Sequence, residues 1–185
     1  MARMAAVLVT LMLVGGTMLT AAPGAHGEEA TARLVSAVRG QGFFFEIGER
    51  RALVMGALQG TLYVESGADA LDGTWMVCPS SFTIDPLAQS FEAEGYCTIA
   101  RGEEHKIYGR WTCAGVLTKG CRGRFTITGG TGRFAGVSGE SEIFMRTHLT
   151  DVTAPEKGIP RSPIGAAQET GVGLITFTAL RYRTP

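Results

Sequence analysis

Beyond its N-terminal segment this chain alternates apolar and polar side chains in steps of two, and no long stretch repeats at the 3.6-residue spacing of a helix. In Phe91-Glu92-Ala93-Glu94-Gly95-Tyr96-Cys97-Thr98-Ile99 every second residue is apolar or glycine. Side chains on a strand point alternately to opposite faces, so this pattern fits a strand with one face buried. Runs of this kind, split by Gly, Asp and Pro, predict eight strands near Leu34–Ile47, Ala52–Glu65, Gly73–Ile84, Phe91–Arg101, Lys106–Cys113, Cys121–Thr128, Ser141–Leu149 and Gly171–Tyr182. Eight strands with short turns imply an all-β barrel or sandwich.

Parity assigns the faces. Val54, Gly56, Leu58, Gly60, Leu62 and Val64 share one side, and Ile107, Gly109, Trp111 and Cys113 share another. Cys121, Gly123, Phe125 and Ile127 form a third set, and Ile143, Met145, Thr147 and Leu149 a fourth. The opposite faces carry Glu92, Glu94, Tyr96, Tyr108, Arg110, Arg122, Arg124, Glu142 and Arg146. The same parity puts Glu46 opposite Phe43, Phe45 and Ile47, and places Phe44, Phe144 and Phe177 outside, where they would mark an oligomer surface.

Four cysteines, Cys78, Cys97, Cys113 and Cys121, allow three pairings. Cys113 and Cys121 flank a short turn and share the apolar side, so they are expected to pair. Cys78 then pairs with Cys97 across a connection centred near Leu87. A redox pair or a metal site is the rival reading, but the chain has no Cys-x-x-Cys. Of its three histidines, His105 and His148 are far apart and read as ordinary surface or strand residues, so no metal is expected.

An even cysteine count suits an exported chain, and the N-terminus agrees. Arg3 is the only charge before Glu28, residues 5–22 are apolar or small, and Ala25-His26-Gly27 is a small-residue exit. These are the parts of a secretory signal, with cleavage expected near Gly27 and a periplasmic or secreted product. An uncleaved anchor is the alternative, because the run just reaches the roughly 18–20 residues a span requires. Gly15-Gly16 and Pro23-Gly24 weaken that helix, so no stable membrane anchor is expected after cleavage. Residues 28–185 then form one domain.

Charge excludes one class of partner. Removing residues 1–27 leaves 16 basic against 17 acidic residues, with no basic stripe, so nucleic acid is not expected. The absence of asparagine excludes N-glycosylation. Residues 151–170, with Pro155, Pro160 and Pro163, read as a long loop: a lid, a partner loop or a solvated excursion.

The sharpest motif is Thr128-Gly129-Gly130-Thr131-Gly132-Arg133-Phe134-Ala135-Gly136. A dinucleotide loop needs a long helix next, yet Val137-Ser138-Gly139 and another strand follow, so no cofactor is expected. The run from Phe125 to Gly139 resembles the late strand, tight turn and next strand of allene oxide cyclase-like and dirigent-like β-barrels. That resemblance implies an eight-stranded antiparallel barrel related to the calycins, often trimeric. It also implies that Gly129, Gly130, Gly132 and Gly136 permit the turn while Phe134 closes the barrel base. The cyclases use a pocket glutamate with an asparagine-held water, and without asparagine that chemistry does not carry over intact. Dirigent-type cavities use acidic, arginine and tyrosine groups. Glu46, Glu94, Tyr108 and Arg110 have suitable chemistry, and Trp111 is an inward aromatic; parity places Glu94, Tyr108 and Arg110 outside.

Three functions follow. The reading taken is a non-catalytic binding module holding a small apolar ligand. The alternatives are a cyclase or dirigent-like steering protein, which needs an ionisable group inside, and a solid barrel that contacts a partner or its own copies. A cavity with an acid or arginine favours the second, a wholly apolar cavity the first, and no cavity the third.

Overall fold

The computed structural model describes residues 29–65, 69–153 and 167–184. The segment read as a signal, and residues 154–166 of the expected loop, lie outside the described residues. Eight antiparallel strands close on themselves in chain order. They are β1 (Glu29–Gly48), β2 (Arg51–Val64), β3 (Thr74–Asp85), β4 (Ser90–Arg101), β5 (His105–Val116), β6 (Gly120–Gly130), β7 (Ser138–Thr153) and β8 (Ala167–Arg183). A closed barrel, not a sandwich, is the outcome, and β1 pairs with β8 to remove the open edges. The expected loop is shorter than 151–170: Asp151–Thr153 and Ala167–Thr170 extend β7 and β8, with Asp151 opposite Thr170 and Thr153 opposite Gln168.

The alternation becomes the core. Leu34, Leu62, Met76, Ile99, Ile107, Phe125 and Leu180 are almost completely buried, and each sits on the inward side of its strand. Gly109 is inward for a packing reason: a Cβ there would run into the Phe125 ring. Both disulfides, Cys78–Cys97 and Cys113–Cys121, lie inside the barrel with Cα atoms 4.1 and 5.6 Å apart.

One strand departs from simple parity. Phe177 is 1% exposed and meets Phe125 edge-on, with ring centroids 5.2 Å apart. It is core, not surface. The cause is an extra residue in β8. Ala32 and Leu34, two apart on β1, pair with Leu180 and Phe177, three apart on β8. Facing β7, Glu140 and Ile143 pair with Arg181 and Phe177, so both neighbours record the same bulge. The bulge turns Ile175 and Phe177 inward while Leu180 and Tyr182 remain inward beyond it. Phe44 also falls on the inward side, in step with Leu34, Ser36 and Val38, whereas Phe144 is outside beneath the Arg122 guanidinium.

The glycine motif closes one end. Thr131 Oγ1 donates to the Glu104 carbonyl at 2.8 Å and accepts from the Lys106 amide at 3.2 Å, tying the turn to β5. Gly132 has φ +57°, and a Cβ there would run into the His105 imidazole, so the turn requires glycine. The single helical turn Gly132–Phe134 lays Phe134, 2% exposed, across the barrel base. Arg133 covers that ring and donates to the Ala70 carbonyl. Beside it, the Tyr182 hydroxyl bonds both Asp69 oxygens, holding the β2–β3 connection and its buried Leu71 over the same end.

Candidate ligand cavity

With the base sealed, space remains at the opposite end, where β1 and β2, β3 and β4, and β5 and β6 are joined by turns. A cavity of about 390 Å³ lies inside this upper half. One wall is stripped of side chains: Gly40 and Gly42 on β1 and Gly56 on β2. The strands cross so closely that a Cβ on Gly56 would run into the Gln41 carbonyl. The other walls are apolar, formed by Val54, Leu58, Phe82, Ile84, Phe91 and Leu117. The Phe82 and Phe91 rings stand 6.4 Å apart. Gln41, Thr147, His148 and Thr170 supply the polar groups, and among the described residues no Asp, Glu, Lys or Arg lines the space. The volume and the few polar groups fit a small-molecule site.

The residues singled out from sequence lie elsewhere or below. Tyr108 and Arg110 are on the outer face of β5, where Arg110 pairs with Glu94 at 3.5 Å in solvent. Glu46 lies one step beyond Phe44 on the inward parity of β1, but at the exposed rim. None of the three lines the cavity. Trp111 is inside, 3% exposed, with its ring edge-on to Phe82 at 6.2 Å, and so supports the cavity from beneath. Its Nε1 and the buried Ser36 Oγ have no hydrogen-bond partner among the described residues. Gly129, Gly130, Gly132, Phe134 and Gly136 all belong to the far end and its closure.

Val54, Leu58 and Phe91 stood in the inward-facing sets, but parity alone did not separate residues lining a space from residues filling one. His148 carried no sequence signal. It has outward parity, and it reaches the cavity because β6 does not extend alongside that part of β7. Among the described residues no group of three His, Cys, Asp or Glu side chains could hold a metal ion.

No family model and no curated protein matches the chain. Two solved structures are similar to it. The pterocarpan synthase dirigent protein GePTS1 is 12% identical, with 82% of this chain and 93% of that chain covered and a TM-score of 0.43. The pterocarpan synthase dirigent protein PsPTS1 is also 12% identical, with 77% and 95% covered and a TM-score of 0.29. The strand pairings by themselves establish the closed eight-stranded antiparallel barrel, which is the architecture the glycine-turn resemblance implied.

Proposed function

We propose that this barrel binds a small apolar molecule in the upper cavity and holds it without chemistry of its own. One observation carries the reading: a space of about 390 Å³ whose lining, among the described residues, contains no carboxylate, lysine or arginine. A cyclase or steering protein needs a proton donor or acceptor, or a fixed charge, at the reacting atoms, and the groups suited to that role face solvent. Two disulfides support a protein that works outside the cytoplasm, with residues 1–27 as its signal and residues 28–185 as its working unit.

The test is native mass spectrometry of the protein isolated from its own host, followed by Val54→Trp. The wild type is expected to carry a small-molecule adduct. The variant, which places an indole in the space, is expected to lose it while keeping the same melting temperature within a few degrees. An adduct retained by Val54→Trp, or a wild type that carries none, defeats the reading.

The outer surface supports a second property, self-association. Outward positions 35–45 of β1, 53–63 of β2, 75–83 of β3 and 172–176 of β8 contain one charged residue, Arg39. Phe43, Met55, Tyr63, Trp75, Val172 and Leu174 are 46–55% exposed there, and Tyr96 extends the patch onto β4. The strands β4–β7 carry the charges instead: Glu92, Glu94, Arg110, Arg122, Arg124, Glu140, Glu142 and Arg146. At roughly 200 Å² per large side chain, the seven exposed residues present about 700 Å², close to the ~800 Å² per partner of a standard interface. An apolar interior and a half-charged exterior are the reverse of a lipid-embedded barrel, so a second copy of the chain is the occupant that fits. Sedimentation velocity is expected to give an oligomer at micromolar concentration, and Trp75→Glu with Tyr63→Glu a folded monomer. A wild type that stays monomeric throughout refutes it.

A further inference from the structure

The barrel wall is incomplete beside the cavity. The pairing of β6 with β7 ends at Cys121 opposite Met145, yet β7 runs on to Thr153 with only β8 beside it. At Gly120, φ +90°, the chain leaves the wall, and the β5–β6 turn folds toward β4, where the Leu117 amide donates to the Gln89 carbonyl at 3.0 Å. A lateral groove of about 480 Å³ follows this gap between Leu117–Gly120 and Arg146–His148. It shares Leu117, Thr147, His148 and Val172 with the cavity, so the two spaces adjoin at these residues.

The groove adds what the cavity lacks, a fixed charge. Arg146 lines it, and among the described residues no carboxylate lines either space. Five of the other arginines are engaged: Arg110, Arg124 and Arg183 with carboxylates, Arg122 and Arg133 over aromatic rings. Arg146 has no such partner among the described residues. The edge of β7 beside it also presents backbone groups that β6 does not pair, and these include donors for an anion. We infer that the ligand is amphiphilic: an apolar body in the cavity and an anionic head, of carboxylate type, in the side gap at Arg146. This rests on the cavity reading above and names its ligand class.

The probes are naphthalene-2-carboxylate and its neutral carboxamide, which share one apolar body. By isothermal titration the carboxylate is expected to bind about tenfold tighter than the amide at low ionic strength. Arg146→Gln is expected to remove most of that preference and leave the amide unchanged, and Arg146→Lys to keep part of it. Salt is expected to weaken the carboxylate alone. Equal binding of both probes, indifferent to Arg146→Gln and to salt, overturns the anionic head and leaves the cavity reading standing. Binding of neither probe overturns both.

Discussion

Phe177→Ala is expected to lower the unfolding free energy by about 3–5 kcal/mol, the range for removing a buried aromatic ring. The ring is 1% exposed and stands at 90° to Phe125, with centroids 5.2 Å apart. Phe125 in turn packs over the bare backbone of Gly109, where a Cβ would run into its ring. Edge-to-face pairs add about 0.5–1.5 kcal/mol beyond area burial, and that contribution is lost too. Urea unfolding followed by near-ultraviolet circular dichroism reads the change. If β8 kept strict alternation, Phe177 would face solvent and the substitution would cost no more than about 0.5 kcal/mol. A loss of that small size would therefore remove the bulge as well as the packing.

The second large effect is expected from the disulfides. Their sequence separations are 19 and 8 residues. Loop-closure entropy then gives about 3 kcal/mol for Cys78–Cys97 and about 2.5 kcal/mol for Cys113–Cys121. Replacing all four cysteines by alanine is expected to cost at least their sum, about 5–6 kcal/mol, because all four sulfur-bearing side chains are buried and their removal also leaves voids. That loss is comparable with the whole stability of many domains, about 5–15 kcal/mol. The four-alanine chain is therefore expected to be largely unfolded or molten at 37 °C, and each two-alanine chain folded but weakened. A four-alanine variant whose urea midpoint falls by less than the equivalent of about 2 kcal/mol would show that packing alone closes this barrel.

Several features were legible in the chain because they depend on neighbouring residues. Alternation along β4 and β5 put Phe91, Ala93, Cys97, Ile107, Trp111 and Cys113 inside, and each is buried. Each cysteine pair is separated by a single turn, and the disulfides join those pairs. The glycine motif was readable as a turn because no helix could follow it, and Gly132 is held there by its positive φ and by His105. By contrast, one inserted residue in β8 flips a face with no local mark, since Ile175-Thr176-Phe177-Thr178-Ala179-Leu180 supports either parity.

The candidate site was the least legible part. Inward parity assigns Val54, Leu58 and Phe91 to the same class as Leu62 and Phe125, although the first three line a cavity and the last two fill the core. The difference depends on the opposite wall. In the lower half Phe134, Leu71 and the Phe125–Phe177 pair are buried in one core, whereas in the upper half Gly40, Gly42 and Gly56 offer nothing to fill the space. The chemically suggestive Tyr108 and Arg110 were recognisable as polar strand residues, and their strand turns them to solvent.

By itself, then, the sequence determined the strands, most of their faces, the bridged turns and the closing loop, because period-two alternation, turn glycines and cysteine spacing act over a few residues. The tertiary structure alone decided that β8 bulges, that the upper half stays hollow and that β6 stops short of β7. These outcomes depend on which side chains meet across the barrel and on where paired strands end, and such distances are set only once all eight strands are in place.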